Sequence, residues 1–320
     1  MKRIEALNLI QLFEQLKNVM SIGFAYALMR NKKILDSERE NLSKTIELTE
    51  KYSQFVKQMQ SILEEFCIID TQNPVILIDS VKLKEGKDRQ EFIKAVLDLR
   101  ELYSEEIANR RTLLREYQEF MGEEADIDFY KINESSLPTE LSFHKLIMLS
   151  ELIKYEEREL ETIELTVYSV LTYTNIFMKM IDIKALSSVN CEARNKSLFN
   201  FVQFRKKHKL LYSDPIIQRW VTYEKERKLL AESYSDTDIF GDVLIQHNQT
   251  SQDDQFVIKD MKAFEEALST LNQKYEKELT DFYEFLNQKT SIDICKLNQE
   301  DLPEDTTLED LQTLEIFIKN

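Results

Sequence analysis

Residues 127–154 read IDFYKINESSLPTELSFHKLIMLSELIK, and residues 292–319 read IDICKLNQEDLPEDTTLEDLQTLEIFIK. Ten of these 28 positions are identical at one constant spacing of 165, among them Asp128/Asp293, Lys131/Lys296, Leu137/Leu302 and Pro138/Pro303. The motif also has local grammar. Pro138 and Pro303 push the leucine before them into extended backbone and exclude continuous helix. Ser142 and Thr307 then stand where an N-cap belongs, ahead of short helices carrying Leu146/Leu149/Ile153 and Leu311/Leu314/Ile318. Thr307 with Asp310 forms a capping-box-like pair.

Two further matches lie outward from this block. Arg30-Asn31-Lys32 faces Arg194-Asn195-Lys196 at a spacing of 164, and Glu116–Met121 (EYQEFM) faces Asp281–Leu286 (DFYEFL) at 165. Three blocks in one order at nearly one spacing predict an internal duplication. The boundary falls near residue 157, giving one helical unit over 1–157 and a second over 158–320.

Within a unit the dominant signal is helical. Only 4 Gly and 4 Pro occur in 320 residues, a scarcity that favours helices over sheets and long loops. Phe92, Val96, Leu99, Tyr103, Ile107, Leu114, Tyr117 and Met121 recur at steps of mostly three and four, as do Val257, Met261, Phe264, Leu268, Leu271, Tyr275, Leu279, Phe282 and Leu286. These stripes predict long amphipathic, coiled-coil-like helices. Stripes this apolar are expected to be covered within their own unit or by the other copy, and Trp220 to sit in the second core. Upstream, helices are predicted over 4–30 and 31–66, matched by 160–185 and 191–234. Before each long helix, residues 74–88 and 238–254 predict a β-hairpin or extended loop. From Ser142 to about Leu186 no Pro or Gly interrupts the chain, so one helix is expected to run from the first unit into the second. The fold class is therefore all-α, as two tandem helical copies.

Composition narrows function. Hydrophobic residues make up 42%, enough for a core, and the formal net charge is −16. That balance argues against direct nucleic-acid binding, which needs clustered Lys and Arg, and fits a protein partner with a basic surface. No apolar run reaches the ~18 residues a membrane span requires. Cys67, Cys191 and Cys295 are too few and too far apart for a disulfide scaffold or zinc knuckle, and MKRIEALNLIQLFEQL lacks a signal core, so a reducing cytoplasm is expected. His144, His208 and His247 lack ligand spacing and read as surface residues. No phosphate loop, dinucleotide fingerprint, nucleophile elbow or HExxH occurs, so no cofactor, no metal and no catalysis are expected. The contact residues that the repeats single out are Arg30, Lys32, Arg194 and Lys196, suited to an anion or a structural ion pair, and Asp128 and Asp293, one acid per copy. A duplicated unit commonly stands in for a symmetric dimer, so the expectation is a monomer with pseudo-twofold symmetry or a homo-oligomer.

An opening helix leading into Arg-Asn-Lys, a middle loop before a long acidic helix, and a closing Leu-Pro-plus-helix block together resemble an uncharacterised family of short helical proteins of bacteriophages infecting Gram-positive hosts. The resemblance spans nearly the whole chain twice, this chain carrying two units. It implies a phage or mobile-element setting and transfers no functional residue. In that setting the expected function is a non-enzymatic protein-binding factor that engages a host or defence protein, as an inhibitor for example. The alternative is a morphogenesis component, an assembly chaperone or minor virion protein.

Overall fold

Helices start where a short polar side chain can hold their first free N–H groups. Asp88 accepts from Gln90 N at 2.8 Å and Glu91 N at 3.0 Å, and Thr49 accepts from Tyr52 N at 3.1 Å. The computed structural model describes the chain apart from residues 17, 19–20, 69–77, 79–80, 184–185, 187–190, 248–253, 303, 305 and 320. In chain order the elements are α1 (Arg3–Gln15), α2 (Ile22–Thr45), α3 (Glu50–Phe66), α4 (Arg89–Leu102), α5 (Ser104–Gly122), β1 (Ile132–Asn133), α6 (Phe143–Leu149), β2 (Ile153–Lys154), β3 (Glu161–Thr166), α7 (Val167–Leu171), α8 (Tyr173–Met180), α9 (Cys191–Tyr212), α10 (Pro215–Tyr234), β4 (Ile245–His247), β5 (Asp254–Phe256), α11 (Met261–Lys274), α12 (Glu276–Leu286), β6 (Lys289–Ile294) and α13 (Leu308–Leu314).

The protein is mostly helical, and among the described residues its strands form three two-stranded pairs. Five sequence expectations need correction. The helix expected over 4–30 is divided, α1 ending at Gln15 and α2 running from Ile22 past residue 30 to Thr45. The helix expected from Ser142 to Leu186 does not form: α6 ends at Leu149 and β3 follows, pairing antiparallel with β6 from Glu161↔Ile294 to Thr166↔Lys289. Thr162, Glu164 and Thr166 alternate with Ile163 and Leu165, a period-two pattern that the missing Gly and Pro had hidden. The helix expected over 31–66 breaks before Thr49, which caps α3. The helix expected over 191–234 breaks at Ser213–Asp214, where Pro215 opens α10 as a first-turn proline. Finally, each long helix bends at a tyrosine, Tyr103 (φ −108°, ψ 18°) and Tyr275 (φ −109°, ψ 15°).

The chain separates into two compact units, and neither follows the sequence halves 1–157 and 158–320. The first comprises Met1–Asn41, Met121–Val221 and Lys277–Asn320; the second comprises Leu42–Phe120 and Thr222–Glu276. Each draws segments from both halves.

In the first unit, one apolar core joins Leu9, Phe13, Phe24 and Leu35 with Phe143, Leu146, Phe177, Phe204, Leu314 and Phe317. From Lys131 and Lys296 onward, the two closing blocks make matching contacts 165 positions apart. Ile132 pairs with Ile153 in parallel, as Leu297 does with Ile318. Lys131 Nζ donates to Glu151 O at 2.8 Å, and Lys296 Nζ to Ile316 O at 3.1 Å. Ser142 caps α6 and Thr307 caps α13, with Asp310 completing the capping box as expected. The opening segments correspond as well: Arg3 N donates to Glu123 O at 3.0 Å, and Val167 N to Gln288 O at 2.9 Å. Pro303, the partner of Pro138 in the sequence match, lies outside the described residues.

In the second unit, α3 presents Tyr52, Phe55, Met59 and Leu63 to Phe92, Val96 and Leu99 of α4. The pair α10–α11 repeats this arrangement at spacings of 168 and 172. Phe55 and Tyr103 rings meet at 5.6 Å, and Tyr223 and Tyr275 rings at 5.5 Å. The Tyr103 hydroxyl accepts from Gln58 at 3.0 Å, and the Tyr275 hydroxyl donates to Glu226 at 2.7 Å. Cys67 bridges Leu83 as Ser235 bridges Ile258, and Asp88 caps α4 as Asp260 caps α11. The hairpin expected over 238–254 forms in part, as β4 and β5 paired antiparallel. Of its counterpart over 74–88, residues 74–77 and 79–80 lie outside the described ones.

Candidate functional site

The residues singled out by the repeats serve as structural ties. Arg194 is buried and donates to Thr139 O at 2.9 Å and Pro138 O at 3.4 Å. Arg30, its partner in the sequence match, is exposed and lies over the Tyr130 ring at 5.0 Å. The two are not equivalent. The shared contact belongs instead to Asn31 and Asn200: Asn31 bonds both Tyr130 N (2.8 Å) and Tyr130 O (2.9 Å), and Asn200 both Cys295 N (2.7 Å) and Cys295 O (2.8 Å). The geometric spacing there is 169 (31 and 200), not 164. Lys32 pairs with Asp36 at 3.2 Å, and Lys196 with Asp301 at 2.8 Å. Asp293 accepts from Thr162 Oγ1 at 2.6 Å on the β3–β6 pair, and Asp128 is exposed.

Beside Lys196 lies a polar cavity of about 250 Å³ whose lining includes Arg158, Cys295 and Lys296. Three of its cations are engaged: Arg158 pairs with Glu134, Lys196 with Asp301, and Lys296 with two carbonyls. Burial pushes the Cys295 thiol up, away from the thiolate. This is a paired internal network. His208, expected on the surface, is half-buried between the rings of Tyr173 and Tyr212, and burial lowers its pKa. Trp220, expected in a core, is half-buried and stacks on Phe282 at 4.6 Å.

A different surface stands out in the second unit. Ala263, Phe264, Ala267, Leu268 and Leu271 share one face of α11, yet no residue of that helix is buried. Ala267 and Leu271 of that face, with Leu229 and Leu230 of α10, line an apolar groove of about 470 Å³, whose lining also includes Glu226 and Lys274, paired at 2.7 Å. Leu229 is 45% exposed, and Val257 and Met261 nearby are 38% and 55% exposed. The expected covering of both stripes is complete at Phe92, Val96 and Leu99 of α4 and only partial at Phe264, Leu268 and Leu271 of α11.

On α3 and α4, Phe55, Met59, Phe92 and Val96 have no exposed surface, and Ile239 (0% exposed) and Phe240 belong to the same cluster. A tight turn presents them. Asp238 accepts from Phe240 N and Asp242 N at 2.9 and 2.8 Å, and Gly241 takes φ +88°, a left-handed conformation that side chains disfavour. A Cβ on Gly241 would also come within 3.0 Å of Ile107. Two arginines clamp the turn, Arg111 through Gly241 O and Arg100 through Thr237 Oγ1 at 3.1 Å. Burial lowers the Arg100 pKa, with Arg111 adding to the effect.

Sequence reasoning found Leu268 and Leu271 but missed Leu229 and Leu230, which sit in a charged helix. The signal available was the pair Leu229-Leu230 four and five positions past Lys225, facing the α11 stripe. Compared with known proteins, the chain matches no family model, no curated protein and no solved structure.

Proposed function

We propose that this chain is a non-enzymatic protein-binding factor and that it engages its partner through the α10–α11 groove. The observation that carries the reading is the apolar groove that Leu229 and Leu230 of α10 line with Ala267 and Leu271 of α11. Contiguous apolar surface that a helical pair leaves open marks interaction sites. The acidic balance of the chain supports a partner with basic surroundings. The reading takes the recurring contacts as two copies of one ancestral unit, and the phage setting rests on the family resemblance alone. Host-protein engagement is the first assignment; a part in particle assembly is the alternative.

The test is a photo-crosslinking residue placed at position 229 in cells that express the chain natively, with position 168 (Tyr168, 56% exposed) as control. We expect one discrete adduct from position 229 and none from 168. Its identity separates the two assignments, a particle protein favouring assembly. No adduct from 229, or equal adducts from both positions, would refute the reading.

A further inference from the structure

We infer that the first unit takes an extended strand of a partner protein along the open edge of residues 126–129. This edge does not depend on the α10–α11 groove of the second unit. The segment 124–129 (EADIDF) matches β6 (KTSIDI) at a spacing of 165, Ile127 and Asp128 repeating Ile292 and Asp293. It keeps the alternation of a strand: Asp126 and Asp128 are exposed, Ile127 is half-buried against the first core, and Phe129 is buried. Along β6 a partner strand is present, with Ile163 opposite Ile292 and Thr162 opposite Asp293. The matched ladder begins in the same way and then stops. Lys2 bridges Glu124 as Thr166 pairs with Lys289, and Arg3 N and Val167 N follow with equivalent bonds. Beyond that bridge, no described residue pairs with 126–129 as Glu161–Glu164 pair with β6. Ala125 N donates to Met1 O at 2.8 Å, so Ile127, two residues on in extended backbone, aims its N–H to the same side. That N–H makes no hydrogen bond among the described residues, and Phe129 N turns back on Ile127 O at 3.1 Å. An unpaired donor on a strand edge is what an added strand takes up.

The matched pair defines the occupant's side chains. Opposite Ile127 belongs an aliphatic residue, because Ile292, which faces Ile163, is buried where Ile127 is only half-buried. Opposite Asp128 belongs a hydroxyl, because Thr162 Oγ1 donates to the matching Asp293 at 2.6 Å. Opposite Asp126 the charge changes. On β6 the neutral Ser291 faces Glu164, whereas the open edge presents a carboxylate there. Like charges directly opposite one another destabilise a strand pair, so this position takes Lys or Arg. The same rule disfavours a second copy of the edge, which would set its carboxylates against themselves. The occupant is therefore an antiparallel segment reading Thr or Ser, then an aliphatic residue, then Lys or Arg.

The probe is a fluorescein-labelled, end-capped peptide of residues 158–164 carrying Glu164→Lys, titrated with the full-length chain and read by anisotropy. The unsubstituted peptide, and the lysine peptide N-methylated at Ile163, are run beside it. We expect saturable binding of the lysine peptide, about fivefold tighter than the unsubstituted one. N-methylation removes a backbone donor without changing charge and should abolish binding. Asp126→Lys in the chain, at an exposed position, should reverse the order of the two peptides and leave the thermal melt unchanged. Absence of saturable binding, equal binding of the N-methylated peptide, or an order unmoved by Asp126→Lys would overturn the inference. So would a dimer of the chain in sedimentation that the lysine peptide dissociates, which would give the edge to a second copy. Adducts at position 229 test the groove separately and are unaffected by any of these outcomes.

Discussion

Replacing Asn200 is the sharpest perturbation available in the first unit. Its amide closes a two-bond ring with the backbone of Cys295, at 2.7 and 2.8 Å, and the side chain has no exposed surface. In Asn200→Leu both backbone groups lose their partner at a buried position. Each unpaired buried group costs about 1–3 kcal/mol, so we expect a loss of about 2–5 kcal/mol. Asn31 makes the same ring with Tyr130, but Tyr130 is exposed and its backbone can be rehydrated. Asn31→Leu should therefore cost less, about 1–3 kcal/mol. Asn195, which the sequence match aligns with Asn31, has a side-chain oxygen with no hydrogen-bond partner, so Asn195→Leu should cost under about 1 kcal/mol. Urea unfolding of the three variants at pH 7, with slopes compared to exclude changes in the unfolded state, gives the ranking Asn200 > Asn31 > Asn195. If Asn195→Leu equals or exceeds Asn200→Leu, the geometric correspondence is wrong and the sequence register is right.

Two other outcomes follow from the same geometry. Burial alone would raise the Glu151 carboxyl, but Arg205 (Nε at 2.7 Å), the Met1 ammonium and Lys209 more than offset it, and its pKa is lowered. A depressed folded pKa adds stability above the unfolded value, near 4.3, that is lost as pH falls through the folded one. Glu151→Gln should therefore lose about 1–3 kcal/mol at pH 7 and show a shallower acid limb below about pH 4.3, and parallel urea-midpoint profiles would contradict this. At the matched positions 96 and 268, Val96→Asp should unfold the second unit, since it places a carboxylate where there is no exposed surface, while Leu268→Asp on the half-exposed stripe should cost about 1 kcal/mol. Equal losses in circular-dichroism melts would mean that the α11 face is covered.

Much of the helical framework was legible because its signals are local. Caps at Ser142 and Thr307, the Phe92–Val96–Leu99 stripe and the closing blocks each lie within a few turns of chain. The β3–β6 pair was not, because its partners are 123–133 residues apart and ETIELT carries no turn residue to mark it as a strand. Register misled at Arg30-Asn31-Lys32: three matching letters put Asn31 opposite Asn195, while hydrogen bonding put it opposite Asn200. The drift in spacing from 168–169 to 172 and back to 165 has a physical reading. Helix α5 has 19 residues and α12 has 11, so the earlier segment is longer by about two helical turns, a difference that preserves the apolar face. The groove stayed hidden because periodicity identifies an apolar stripe without telling whether anything covers it.

The most direct measurement separates the chain at its sequence midpoint. Residues 1–157 and 158–320 are made as two polypeptides, cut at Glu157, an exposed residue between β2 and β3. Both compact units draw on both segments, so the two larger hydrophobic clusters are each divided between the fragments. We expect each alone to show no cooperative thermal unfolding, and the two co-expressed to purify as a stable 1:1 complex with one native-like circular-dichroism spectrum. Two fragments that each fold alone as monomers, with their own sharp transitions and no affinity for one another, would contradict an architecture in which each compact unit draws on both halves of the chain.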